Sequence, residues 1–512
     1  PRFQEYKLID LRSTSFKGCF RGMERVKPLL IVFIPASIFT LTYQGFGLGG
    51  MSFKQSIATS ILALFISATL LYWQFRVAFA FLGVSLLMVL GLLDIPHLVE
   101  FSQLDVILFL VGMMTVIGVL EERHFFDYIL DTLGSRIRSG MVLYASILAM
   151  AAFMAALVDE VTSIIFITLF ILKICDRLRV DPLPFVIAAV FTTNVGSSAT
   201  VVGNPIGVMV ALRGGFTFLD FIRWSTPNAI IVLAVSIIAS LIVWRSYVAE
   251  LDARFKRVGV RFELSQEVLR MQWVNWILFI GTIGTLVVHH PLEGLLEELL
   301  GMEPDSMKNV ILVAAPMFWA SVGLLIERMR ARDIVMHRVD WWTLLFFMLL
   351  FSTIGTLKYT GANMVIGSYA VELGSKIGGV GLGVELGTLL SVFMLASVLT
   401  AFLDNVLAIA TLIPIVYAIY ESLGWNVFPF FWGMLFAGTM AGNYTPIGST
   451  ANIIAIGMLE RHGEKISFSY WVKYALVIAT LQVIISIIWL YILIVPNAPP
   501  DYAPPVTPSP HP

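Results

Sequence analysis

Three carboxylates lie near the middle of two long apolar stretches of this chain. Asp159 and Glu160 interrupt Met141–Cys175, and Asp404, followed by Asn405, interrupts Gly383–Tyr420. Ionisable groups at bilayer depth are costly, and they mark ion paths and proton relays. A carboxylate taken out of water resists ionisation, so protons and metal cations compete for it. The chemistry these residues suit is the exchange or coupling of H⁺ with a cation. The only basic residue in either stretch is Lys173, at the far end of the first.

Two runs of small and polar residues follow the carboxylates: Asn194–Pro205 and Thr439–Thr450. Gly, Ser, Thr, Asn and Pro at that depth break a helix and free its backbone groups. Freed carbonyls and hydroxyls can coordinate Na⁺, while helix N-terminal amides can hold an anion. Plainer roles stand beside these. Asp159 and Asp404 could simply cap the helices that follow them, Glu160 could face a cytoplasmic vestibule as a solvated charge, and the breaks could be small-residue packing contacts. His124, His289, His290, His337 and His462 fall at loop positions and are expected to be solvated.

The elements that must position these groups are membrane helices. Of 512 residues, 58% are hydrophobic and 13% charged, with mean hydropathy +0.87, which leaves too little polar surface for a soluble body. Spans are expected near 28–46, 56–74, 77–95, 104–121, 183–212, 226–246, 272–289, 309–326, 341–358, 430–457 and 472–495. The two acid-interrupted stretches fit helix–turn–helix hairpins that enter and leave on one side, over 141–175 and 383–420. The fold class is therefore all-α integral membrane, with about eleven spans plus two re-entrant hairpins. Basic residues cluster before residue 28, over Arg245–Arg270 and over Glu327–Asp340, while acidic residues fill His289–Lys308. This bias places the N-terminus in the cytoplasm and the C-terminus outside, with the protein in the plasma or inner membrane. The Pro-rich tail 496–512 is expected to be disordered. Cys19 and Cys175 suggest neither a disulfide framework nor a metal site.

The chain also repeats itself. With Asp159 laid over Asp404, an offset of 245, Val161 falls on Val406, Pro184 on Pro429, Phe191 on Phe436, Thr200 on Thr445 and Gly203 on Gly448. Leu133-Gly134-Ser135-Arg136-Ile137 pairs with Leu373-Gly374-Ser375-Lys376-Ile377 across small gaps. The hairpins open from opposite sides, so the repeats are inverted, and matched helix breaks in inverted repeats point to a transporter site near the midplane. The organisation reads as a basic segment 1–27, a first span and linker 28–55, repeat 1 over 56–248 with its broken helix at 183–212, a linker 249–271, repeat 2 over 272–495 with its broken helix at 430–457, and the tail.

The acidic tip, apolar helix and Thr-x-x-Gly break resemble the ion transporter superfamily, which includes arsenite permeases of the ArsB type, NhaD-type sodium–proton antiporters, the P protein, and citrate and dicarboxylate transporters. Asp404-Asn405-Val406 and Gly442–Asn452 carry the resemblance most clearly, and it extends over roughly 75–495. It implies a dimerising scaffold, a transport domain holding both hairpins, and elevator-like movement. It implies a first site of Asp159, Glu160, Val161 and Thr162 with Ser197, Ser198, Thr200 and Asn204. The second site would be Asp404 and Asn405 with Asn443, Thr445, Ser449 and Thr450. The first tip departs from the pattern, reading Asp-Glu where Asn is common in second place. It also lacks the Ser-Asn-Thr tip of dicarboxylate carriers, which disfavours dicarboxylates.

The function expected is a secondary active transporter, an H⁺- or Na⁺-coupled antiporter performing Na⁺/H⁺ exchange or arsenite/antimonite export. The alternative is Na⁺-coupled uptake of an inorganic or organic anion. The partners are a small ion, the bilayer and a second copy of the chain, with no nucleic acid, and no cofactor beyond a coupling Na⁺. No His-Glu-x-x-His, Gly-x-Ser-x-Gly or Gly-Lys sequence occurs, so the motifs of metalloproteases, serine hydrolases and P-loop ATPases are missing.

Overall fold

The structure is a computed structural model that describes residues 27–44, 50–135, 137–258, 272–304, 306–378 and 383–505. The basic N-terminal segment up to residue 26, Cys19, linker residues 259–271 and the tail beyond 505 lie outside the described residues.

The described residues form helices and no strand. In chain order the main helices are α1 (Lys27–Gln44), α2 (Phe53–Leu71), α3 (Arg76–Val89), α4 (Leu104–Glu122), α5 (Phe125–Ser135), α6 (Gly140–Leu157), α7 (Glu160–Leu178), α8 (Leu183–Ser197), α9 (Pro205–Gly214), α10 (Thr226–Val243) and α11 (Arg245–Val258). The second half continues with α12 (Gln272–Val287), α13 (His289–Leu300), α14 (Val310–Glu327), α15 (Trp341–Thr360), α16 (Ala362–Gly378), α17 (Val384–Phe402), α18 (Asn405–Leu423), α19 (Phe428–Met440), α20 (Thr450–His462) and α21 (Phe468–Trp489). Among the described residues, ten helices are long and apolar enough to cross a membrane, or up to twelve if each sharply bent pair is one span.

Packing sorts the helices into two bundles. In one, α4 lies along α14, and α15 packs on α2 and α3. In the other, α6 and α7 pack on α8, while α17 and α18 pack on α19, with α10 and α21 side by side. The helices α5 and α16 lead from the first bundle into the second. The span list missed both because they are amphipathic connectors with polar faces. It also missed α11 and α13 for the same reason.

The bundles meet at few places. One is an ion pair between Arg213 at the end of α9 and Asp105 at the start of α4, 2.7 Å apart. Within the second bundle, α8 lies so close to α6 that a Cβ at Gly196 would land on the Ala152 carbonyl. The linker helix α11 is fixed to the base of α6, where Asp252 accepts hydrogen bonds from the Ser139 hydroxyl at 2.9 Å and the Gly140 amide at 2.8 Å.

Two expectations need correction. The tail up to residue 505 is packed rather than disordered. Tyr502 stacks on Phe216 and donates to the Gly214 carbonyl at 2.7 Å, Tyr417 donates to the Pro505 carbonyl at 3.1 Å, and Asn426 donates to the Pro499 carbonyl at 2.7 Å. Its prolines leave few backbone amides in need of partners, and its one large aromatic ring supplies the contact area. His289 is buried, not solvated: it opens α13 and its ring Nδ1 lies 2.7 Å from the Leu286 carbonyl.

Candidate functional site

Each hairpin turns at its acidic tip because the tip residue caps the returning helix. Asp159 Oδ1 accepts from the Thr162 amide at 2.8 Å, and Asp404 Oδ1 accepts from the Val406 amide at 3.1 Å. An N-cap carboxylate satisfies amides that have no partner within the helix and sits favourably at the helix dipole.

The two broken helices restart by the same device. Asn204 caps α9 through the Gly207 amide at 2.7 Å, with Pro205 in the first turn, and Ser449 caps α20 through the Ala451 amide at 3.2 Å. The breaks are compact because glycine permits backbone-on-backbone contact. A Cβ at Gly203 would strike the Ser197 carbonyl, and one at Gly448 would lie 2.5 Å from the Gly442 carbonyl oxygen.

Each break is tied to its own hairpin tip through equivalent atoms. Thr200 donates to the Ala156 carbonyl and Thr445 to the Ala401 carbonyl, and each threonine hydroxyl also accepts an amide two residues on, from Val202 at 3.2 Å and Ile447 at 3.4 Å. The Thr450 hydroxyl donates to Asp404 Oδ2 at 2.9 Å. The two halves then join at Glu160. Its Oε1 accepts from Asn405 Nδ2 at 3.5 Å, and these residues stand 245 positions apart, the offset of the repeat itself. The contact is therefore between equivalent positions and lies on the pseudo-two-fold axis.

Glu160 is 2% exposed, so it faces the other hairpin tip and not an open vestibule. Asp159 and Thr162 are partly exposed, as are Val161 and Thr450, whereas Ser197, Ser198, Thr200, Asn204, Asp404, Asn405, Asn443, Thr445 and Ser449 are buried. Ser197 donates to the Asn194 carbonyl at 3.0 Å and accepts from Asn204 Nδ2 at 2.9 Å, with its hydroxyl against Glu160. Ser198 bonds back to the Val195 carbonyl at 2.7 Å and does not reach the tips.

Asn443 bonds to side chains other than those of the hairpin tips. It belongs to a closed seam between the breaks: Asn194 Nδ2 donates to Asn443 Oδ1 at 2.6 Å and to Asn452 Oδ1 at 3.0 Å, while Asn194 Oδ1 accepts from Ser449 at 3.1 Å. Asn443 Nδ2 donates to Gln482 Oε1 at 2.8 Å, and Gln482 Nε2 reaches Ser236 at 3.0 Å. With each of its side-chain groups engaged, this seam holds the halves in register.

Asn194, Asn452, Gln482 and Arg76 were not among the expected site residues. Gln482 carried a readable signal, a lone amide inside an otherwise apolar span. Arg76 is buried at the start of α3, donates to Thr343 at 2.6 Å, packs on the Trp73 ring, and lies within electrostatic reach of Asp404. Nothing in its sequence neighbourhood distinguishes it from a flanking basic residue.

Four helix N-termini, of α7, α9, α18 and α20, thus gather with three carboxylates inside a helical membrane body made of two matching halves. That combination is the arrangement of a membrane transporter. The citrate transporter family profile matches residues 62–393 and 373–505, and the chain belongs to that family. Similar proteins include an uncharacterised transporter of Mycobacterium tuberculosis, 30% identical over 397 residues, covering 76% of this chain and 86% of the relative. Another, from Synechocystis, is 25% identical over 438 residues, covering 80% and 91%. The human P protein is 24% identical over 505 residues, covering 82% of this chain and 58% of that protein. All lie in the ion transporter superfamily.

Proposed function

We propose that this protein carries a small multivalent anion, citrate being the first candidate, coupled to a monovalent cation, H⁺ or Na⁺. The observation that supports this most is the gathering of four capped helix N-termini. Such ends favour negative charge, and the tip carboxylates beside them suit a coupling cation. The transported anion would sit between tips and breaks, and the second bundle would move against the first as an elevator, with the first bundle as the dimer scaffold. In this reading the N-terminus is cytoplasmic and the C-terminus lies outside.

The test is reconstitution of the full chain in proteoliposomes with labelled citrate. Uptake that rises under an imposed pH or Na⁺ gradient supports the proposal. Citrate flux indifferent to both, or no flux, overturns it. A second reading, cation/proton exchange of the NhaD kind or arsenite/antimonite export, is favoured by the three carboxylates. It predicts that Na⁺, Li⁺ or arsenite dissipates a preset pH gradient with no citrate present.

A further inference from the structure

The Glu160–Asn405 contact leaves two acceptors unmatched. Glu160 Oε1 accepts from Asn405 Nδ2, but Glu160 Oε2 and Asn405 Oδ1 are both buried with no hydrogen-bond partner. These residues are 2% and 1% exposed, so water does not substitute freely. An unmatched acceptor at that depth is costly, and here two occur on facing groups.

The neighbouring donors already have partners, including the Ser197 hydroxyl that lies against Glu160. The Ser197 hydroxyl donates to the Asn194 carbonyl, Asn204 Nδ2 donates to Ser197, and the Thr450 hydroxyl donates to Asp404. The other titratable groups acting on Glu160 are the carboxylates Asp404 and Asp159, which supply no proton while ionised. A carboxylic acid and a primary amide are complementary. The amide N–H meets one carboxyl oxygen, and the acid O–H meets the amide oxygen, which closes a ring of two hydrogen bonds. The amide half of that ring is in place, and its two unmatched atoms are the pair that the acid O–H would join.

We propose that Glu160 is the seat of the coupling proton. Protonated, it closes a two-bond pair with Asn405 and locks the hairpin tips together on the pseudo-two-fold axis. Ionised, it retains one bond, repels Asp404 and Asp159, and loosens the tips. The proton binds to Oε2 and leaves from it, with no other bond made or broken. This inference rests on the reading of the protein as a coupled transporter, but its chemistry is testable without a known substrate.

The experiment is infrared difference spectroscopy on the purified full chain in lipid nanodiscs, comparing wild type with Glu160→Gln and Asp159→Asn. Glu160→Gln keeps a two-bond amide–amide pair, so its fold should survive, and gel filtration checks this. Wild type and Asp159→Asn should show a protonated-carboxyl C=O band at neutral pH that bleaches as the pH is raised and is missing from Glu160→Gln. Identical carboxyl regions in wild type and Glu160→Gln would overturn the proposal. So would a band that appears only when Na⁺ is removed at fixed pH, which would assign the two oxygens to a sodium ion.

In proteoliposomes with labelled citrate, Glu160→Gln should lose the stimulation of uptake that an imposed pH gradient gives wild type. A Glu160→Gln protein still driven by the pH gradient overturns the proton seat and leaves the transport reading intact. A wild type that moves no citrate counts against the transport reading, while the infrared band still judges the proton seat.

Discussion

Replacing Asn194 by Ala should destabilise the protein more than its size suggests. The side chain is buried and makes three hydrogen bonds: to Asn443 Oδ1, to Asn452 Oδ1 and from Ser449. Truncation strands two acceptors and one donor in a buried seam. Interhelical hydrogen bonds inside membranes are worth ~0.6 kcal/mol on average and at most ~1.7 each, so three together come to ~2–5 kcal/mol. That is roughly a thirty-fold to several-thousand-fold change in the folded/unfolded ratio. Thr439 is the control, because it occupies the same position in the second repeat. Its hydroxyl reaches only its own helix, at the Leu435 and Phe436 carbonyls, so Thr439→Ala should cost below about 1 kcal/mol. Asn194→Asp should be at least as harmful as Asn194→Ala, since it turns an oxygen toward two oxygens. The assay is denaturant unfolding of the full chain in micelles, followed by tryptophan fluorescence. An Asn194→Ala midpoint matching that of Thr439→Ala would refute the idea that this seam holds the two halves together.

Three further outcomes are expected. Thr200→Val and Thr445→Val each remove a hydroxyl that ties a break to a hairpin-tip carbonyl, so each should cost about 1 kcal/mol and speed hydrogen exchange at the matching tip by similar factors; an effect confined to one repeat would contradict the equivalence. Asp252→Ala should speed amide exchange at the start of α6, read by mass spectrometry. The Lys256 ammonium, the Ser139 hydroxyl and the Gly140 amide hold the Asp252 carboxyl down at about 2, below the ordinary 3.8. A group lowered on folding stabilises above its unfolded value, so wild-type protection there should be flat from neutral to mildly acidic pH and fade only as pH falls from about 4 toward 2. Deleting residues 498–512 should cost ~2–4 kcal/mol from lost aromatic pairs and hydrogen bonds, with Tyr502→Phe accounting for about 1 kcal/mol; an unchanged thermal midpoint would show that the docked tail contributes nothing.

Much of this architecture was legible because it is written twice. The 245-residue offset located the tips, the breaks and their threonines, and the structure places Thr200 and Thr445 on equivalent carbonyls. The capping role of Asp159 and Asp404 was also readable, since a carboxylate before an apolar run has few other local partners. What resisted reading was pairing across the axis. Asn194 lies opposite Thr439 in the repeat, so comparing the halves concealed its role, and its partners Asn443 and Asn452 are far away in sequence. Glu160 was ambiguous for a physical reason: whether a tip carboxylate meets water or another tip depends on how the bundle closes. The amphipathic helices α5, α11, α13 and α16 escaped because hydropathy finds spans and overlooks elements that lie along or between them.

The Glu160–Asn405 pair also bears on how such a protein could arise. Two identical half-chains assembled about a two-fold must put like beside like on the axis, glutamate against glutamate or asparagine against asparagine. An acid facing an amide is open only to a fused chain whose halves can diverge separately. A single chain therefore offers more than a fixed stoichiometry, because it allows one position on the axis to hold a titratable group and its equivalent to hold a neutral amide partner.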